Sequence, residues 1–223
     1  MSTQGPGALP QPPWRRPRAL LLDAMGTLID LRQSVGRIYA DVASEHGRAL
    51  EAMAIDRAFG PIYRGAPPLA FPGLAGAALE DAERGWWAAR IDAVLEAIGE
   101  DRGTPALHRH LFDRFADPQL WRVPDDVPAS LERWRGQGLR LAVVSNFDTR
   151  LETLLQGLGL APWLDAVVIS SQVGSAKPSP APFTVALERL GVHAEEAWHI
   201  GDSPEDAAGA RAAGLPCLLV RRP

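Results

Sequence analysis

Ala19-Leu20-Leu21-Leu22-Asp23-Ala24-Met25-Gly26-Thr27-Leu28 opens as an apolar run too short for a helix, ends on a carboxylate and then turns on a glycine. A strand apolar on both faces suits a sheet covered by helices on either side. Four further runs repeat the pattern, at residues 139–145, 166–170, 197–200 and 217–220. Between these four lie helical patterns at 151–158, 182–190 and 204–213, each closed by a glycine, at 159, 191 and 214. Strand and helix in alternation predict an α/β fold with a doubly wound parallel sheet of Rossmann type.

The interval 30–125 carries no comparable strand signal. It shows helical stretches at 35–46, 77–98 and 105–115, broken by a Gly/Pro-rich segment at 60–76. We expect an inserted helical cap, residues 31–125, over the carboxyl ends of the strands, where open α/β sheets bind ligands. Residues 18–30 and 126–223 would form the α/β core. Residues 1–17, rich in Pro, Gly and polar side chains, read as a disordered lead-in.

Composition bounds the function classes. The chain has 223 residues, 46% of them hydrophobic, enough to bury a full core. A net charge of −4 offers no basic field for a nucleic-acid backbone. No apolar run approaches membrane-spanning length. Cys217 is the only cysteine, so no intrachain disulfide can form and a reducing, cytoplasmic setting is expected. The arginines at 15, 16 and 18 make an organelle transit peptide the alternative address. Lys177 is the only lysine, every other cationic chain being arginine. The expected partner is a small molecule, and the sequence is silent on oligomeric state.

Four segments could carry chemistry. Asp23 would project from a strand's carboxyl edge as a covalent nucleophile, although Asp before a glycine is also an ordinary turn residue. Ser145 and Asn146 end the second strand before a helix N-terminus, which favours an anion but also commonly bears such caps. Lys177, after the third strand, could neutralise a phosphate. Asp202, after the fourth, suits a Mg²⁺ site of oxygen ligands, and Asp206 stands in the first turn of the next helix, where the dipole favours a carboxylate. In a parallel sheet all four segments fall on one edge, and that coincidence outweighs any one of them.

The ordered set Asp23/Thr27, Ser145-Asn146, Lys177-Pro178 and Gly201-Asp202/Asp206 resembles the haloacid dehalogenase-like (HAD) hydrolase superfamily. The stretch 141–150, with Ser145-Asn146-Phe147-Asp148, is similar to the subgroup called haloacid dehalogenase-like hydrolase domain-containing protein 3. The resemblance implies an aspartyl-phosphate at Asp23, phosphoryl oxygens held by Ser145 with Thr27 and Asn146 binding substrate, and Lys177 screening nucleophile from phosphate. It implies Mg²⁺ on Asp23, Asp202 and the backbone carbonyl of Met25, with Asp206 supporting from behind.

Met25 is the departure. The superfamily's phosphatases carry there an Asp that protonates the leaving oxygen and activates water, and a thioether does neither. Phosphonoacetaldehyde hydrolases, which lack that Asp, need a second lysine in the cap, and this chain has none. True 2-haloacid dehalogenases lack the metal Asp, whereas Asp202 is of the phosphatase type. The expectation is a weak or selective phosphohydrolase favouring acidic leaving groups, with a low-activity ligand-binding relative or a dehalogenase as the alternatives.

Overall fold

The computed structural model describes residues 16–222, so nearly all of the expected disordered lead-in lies outside the described residues. The chain runs β1 (Ala19–Leu22), β2 (Asp30–Leu31), α1 (Val35–Glu45), α2 (Ala52–Arg64), α3 (Gly76–Ala97), α4 (Pro105–Arg114) and β3 (Trp121–Arg122). It continues through α5 (Asp126–Gly136), β4 (Arg140–Ser145), α6 (Arg150–Gly157), β5 (Ala166–Ile169), α7 (Ser170–Val173), α8 (Ala181–Leu190), β6 (Ala197–Gly201), α9 (Pro204–Ala212) and β7 (Cys217–Leu219).

Five strands form one parallel sheet in the order β5-β4-β1-β6-β7, as the α/β expectation requires. Successive side chains of a strand point to opposite faces. Leu20 and Leu22 accordingly join Leu141 and Val143 in a cluster closed by Leu131 of α5 and Leu151, Leu154 and Leu155 of α6. Ala19 and Leu21 join Ala142 and Val144 on the other face, under Phe183, Ala186 and Leu190 of α8 and Ala210 of α9. Because β1 is central and the connections wind both ways from it, the crevice at its carboxyl end is the topological switch point.

The insertion after β1 is built on its own apolar centre, with Tyr39 and Val42 of α1, Ile55 of α2, Ile91 and Leu95 of α3, and Leu107 and Leu111 of α4. Its two ends meet in a short antiparallel ribbon, Asp30 opposite Arg122 and Leu31 opposite Trp121, with Arg122 ion-paired to Asp30. No helix among the described residues is long and apolar enough to cross a membrane.

Two sequence expectations need correction. The break placed at 60–76 begins too early, because α2 continues through Gly60 and Pro61 to Arg64. Proline removes one helical hydrogen bond, but Ile55 is buried and Ala58, Phe59 and Ile62 pack on the insertion's centre, and this burial outweighs the local cost. Helix α5 was not anticipated at all. Its buried residues are only Val127 and Leu131, too sparse a pattern to stand out by periodicity.

Candidate active site

β1 pairs with β4 on one side and β6 on the other, Leu22 lying opposite both Val143 and Ile200. The next residue, Asp23, therefore stands between the carboxyl ends of its neighbours, and its N–H still donates to Ile200 O at 2.8 Å. The chain then reverses: Leu28 and Ile29 N–H groups donate to Ala24 O at 2.8 and 2.9 Å. Gly26 takes φ of +78°, and a Cβ on it would lie 2.4 Å from Asp202 Oδ2. Only glycine lets this turn approach the second carboxylate.

Lys177 arrives from the loop after α7, where Asn146 clamps its backbone twice. The Asn146 amide donates to Lys177 O at 2.9 Å and accepts from Lys177 N at 2.8 Å. The ammonium spends its three protons on Asp23 Oδ1 and Asp206 Oδ1, both at 2.6 Å, and Val144 O at 3.1 Å. Burial alone would lower the Lys177 pKa, but the charges of Asp23 and Asp206 outweigh it and hold the amine above its usual value.

Asp206 is buried and fully engaged. One oxygen accepts from Lys177 and, at 2.8 Å, from His199 Nε2; the other accepts from the N–H groups of Asp202 and Ser203 and from the Ser203 hydroxyl. Burial would raise its pKa, yet the bonds from His199 and Lys177 hold it far below the usual carboxylate range. Gly201 permits this packing, since a Cβ there would lie 2.3 Å from Asp206 Cγ. His199 is wholly buried with Nδ1 2.9 Å from Leu21 O.

Asp202 lies at the mouth, and Thr27 Oγ1 reaches it at 3.5 Å. Partial burial, then the charges of Asp23 and Asp206, push its carboxyl up to about 6. Oxygens of Asp23, Asp202 and Asp206 lie within 4.8 Å of one another, three carboxylates against one ammonium. Such a local excess of negative charge fits a divalent cation held by oxygens. Asp206, its lone pairs occupied, suits orientation of the others, and Asp23 and Asp202 suit direct ligation. Ser145 is buried at the carboxyl end of β4. The structure thus brings together Asp23, Thr27, Ser145, Lys177, Asp202 and Asp206, and puts Asn146 behind the lysine as its clamp.

A family model for haloacid dehalogenase-like hydrolase matches residues 17–214. The chain belongs to this family. Among curated relatives, the mouse haloacid dehalogenase-like hydrolase domain-containing protein 3 is 38% identical over 91% of this chain and 81% of its own length. A plasmid-encoded phosphoglycolate phosphatase of Cupriavidus necator is 35% identical over 91% of this chain and 80% of its own. The fold is shared with the magnesium-bound HAD-hydrolase YfnB of Bacillus subtilis, with a TM-score of 0.70 at 20% identity, covering 91% of this chain and 86% of that one.

This HAD-family chain also carries groups that sequence reading missed. Met25 is 39% exposed and borders a cavity of about 270 Å³ between the insertion and the sheet. Behind the cavity, wholly buried Asp148 binds Arg150 through both oxygens, at 2.8 and 2.6 Å, and accepts from Trp87 Nε1 at 2.6 Å. The Arg150 guanidinium lies 3.9 Å from the centre of the Phe112 ring. Asp148 reads in sequence as one more helix cap, and only the fold reveals its ion pair. Arg150→Ala leaves that carboxylate buried and unpaired, at an expected cost of about 3–5 kcal/mol, and a thermal melt should fall by roughly 10 °C on the scale for chains of this length. A melt within a degree or two of the parent would show that water replaces the guanidinium.

Glu83 of α3 is a second unforeseen buried carboxylate. It accepts from Thr149 N at 3.0 Å and from the hydroxyls of Thr149 and Ser171 at 2.5 Å, tying the insertion to α6 and α7. The histidines at 46, 108 and 110 are half-buried, and His193 is exposed: His46 pairs with His110 at 3.1 Å, and His108 with Asp92 at 2.7 Å. Trp86 and Trp87 pack edge-to-face with ring centres 4.9 Å apart, in line with a structural role, although Trp87 also borders the cavity.

Proposed function

We propose that this HAD-family chain is a Mg²⁺-dependent phosphohydrolase that transfers the phosphoryl group of a small molecule to Asp23 and then to water, with selectivity for acidic leaving groups. The observation that carries the reading is Lys177 Nζ held 2.6 Å from both Asp23 and Asp206, with the Asp202 carboxylate alongside, at the carboxyl edge of the sheet. The ammonium aims the Asp23 carboxylate, and it lowers the repulsion that an incoming phosphate dianion meets.

In the first step an Asp23 oxygen bonds to phosphorus while the bond to the leaving oxygen breaks, and the leaving group departs with the electron pair. Ser145 and Thr27 supply hydroxyls for the phosphoryl oxygens. In the second step water attacks phosphorus, the Asp23–phosphorus bond breaks, and phosphate leaves as H2PO4⁻ carrying both protons of the water, with the carboxylate restored and no side chain at position 25 to take a proton. Mg²⁺, held by Asp23, Asp202 and the Met25 carbonyl, would supply positive charge to the phosphoryl oxygens. Helices α1–α4 and residues 31–125 would serve as the cap over this site, with residues 18–30 and 126–223 as the core.

Met25 decides the selectivity. It donates no proton to a departing alkoxide, and general-acid assistance is worth about 10² to 10⁴ in rate. Acyl and aryl phosphates, whose leaving oxygens are stable as anions, need no such donor. The defining experiment is a panel of phosphates spanning acidic and basic leaving groups, assayed with Mg²⁺ on the parent and on Asp23→Asn. Turnover that the variant lacks supports the reading; none on any member favours a non-catalytic binding role.

Metal binding has its own test. Adding Mg²⁺ to metal-free protein at a hundredfold excess over Kd should stabilise it by about 2.7 kcal/mol, seen as a rise of several degrees in the melt, and Asp202→Asn should remove the rise. Without metal the folded Asp202 carboxyl titrates at about 6, above its unfolded value of 3.8. The folded state therefore holds the extra proton between those values, so metal-free stability falls as pH rises from about 4 to about 6 and is flat in this term above. The Mg²⁺ gain should grow over the same window, and a gain independent of pH would remove Asp202 from the ligand set.

A further inference from the structure

The cavity beside Met25 limits the part of the substrate that is not phosphate. Met25, two residues from the nucleophile, and Asn146, the clamp on Lys177, both line it. Aromatic walls come from Phe59, Tyr63, Trp87, Trp121 and Phe147, contributed by both the insertion and the sheet side. Tyr63 stacks on Trp87 with rings 6.1 Å apart and 24° between planes, and on Phe59 at 5.8 Å and 16°.

Most of the polar side chains in these walls already have partners. Trp87 Nε1 donates to Asp148 and Trp121 Nε1 to Phe115 O. Arg150 is neutralised by Asp148 and also donates to Phe112 O, while Asn146 is spent on Lys177. Tyr39 and Tyr63 add two hydroxyls to the lining. A sugar or hydroxy acid entering here would lose several hydrogen bonds to water and regain few from walls so largely apolar, and each buried unpaired group costs about 1–3 kcal/mol.

We propose that the organic part of the substrate is an uncharged aromatic group of one or two rings, carried as its phosphate ester and seated in this cavity. The size fits: a 150 Å³ apolar cavity accepts a benzene ring, and this one holds about 270 Å³. The chemistry agrees with Met25, because an aryl oxygen leaves without a proton donor. The Tyr63 phenol, raised by burial and then by the Asp23 and Asp148 charges, stays protonated and can donate to a ring substituent. The preference differs from that of a relative named for phosphoglycolate. It rests on the phosphohydrolase reading, and the test below separates the two.

The experiment measures kcat/KM with Mg²⁺ for 1-naphthyl phosphate, phenyl phosphate, acetyl phosphate and 2-phosphoglycolate, on the parent and on Asp23→Asn. Phenyl and naphthyl leaving groups are similarly basic, so their difference in KM reads burial of the second ring, and naphthyl should bind about tenfold or more tightly, given ~0.8 kcal/mol for each buried carbon group. Val35→Trp and Leu31→Trp, which fill the cavity from two walls, should each raise KM for naphthyl phosphate about tenfold, or ~1.4 kcal/mol. Both should leave acetyl phosphate within about twofold, a contrast that general unfolding does not produce. Binding is read separately by quenching of tryptophan emission with 1-naphthylphosphonate, which Val35→Trp should weaken.

Asp23-dependent turnover that favours 2-phosphoglycolate, or cavity-filling variants that affect all substrates alike, overturns the aromatic assignment and leaves the phosphohydrolase standing. Asp23-independent behaviour on every phosphate overturns both. Chloride release from 2-chloropropionate exceeding all phosphate turnover does the same in favour of carbon chemistry.

Discussion

Asp23→Asn is expected to lower kcat on acetyl phosphate by on the order of 10⁴ or more, the scale on which loss of a nucleophile acts in other covalent hydrolases. The amide is nearly isosteric, so the bond from Lys177 to the side-chain oxygen and the fold around it should persist. What disappears is the anion that attacks phosphorus. Removing one of three crowded carboxylates also relieves repulsion, so the metal-free variant should melt no lower than the parent. A variant with normal stability that keeps a tenth or more of the parent rate would show that Asp23 is not the attacking group.

Met25→Asp is the converse, a gain. The side chain at 25 is 39% exposed and borders the cavity two residues beyond the nucleophile. A carboxylic acid there could protonate a departing alkoxide, and the expected rise on an alkyl phosphate is about 10² to 10⁴. Acetyl phosphate, which needs no donor, should gain only in the second step, where the new carboxylate can activate water, and therefore less than the alkyl phosphate. The pattern across leaving groups is therefore the readout, since a general improvement in folding raises both rates together. An unchanged alkyl rate in a folded variant would mean that the cavity, and not the absent acid, excludes such substrates. If the cavity takes an aromatic ring, the new charge in its wall should also raise KM for naphthyl phosphate.

These two substitutions mark where sequence reading was strong. Asp23, Ser145, Lys177 and Asp202 could be singled out because each follows a short apolar run, and parallel strands must present such ends on one edge. Glycines 159, 191 and 214 were legible as helix stops, and all three take positive φ. Helix α2 was not read as a helix, because Gly60 and Pro61 are locally unfavourable, and their cost is offset by apolar contacts with residues remote in sequence. Asp148, Arg150 and Glu83 were missed for a related reason: a charged residue looks like solvated surface until its buried partner is known.

From its order of residues alone, the chain determined the alternating architecture, the edge on which its reactive groups gather, and the lack of an acid at position 25. Periodicity and strand ends are local properties, so they survive without knowledge of the partners. Tertiary structure alone decided that Lys177 bridges Asp23 and Asp206, that Asn146 serves the lysine backbone, and that a largely apolar chamber adjoins Met25. Those facts depend on distances between segments up to 154 residues apart, set by how the sheet and helices pack.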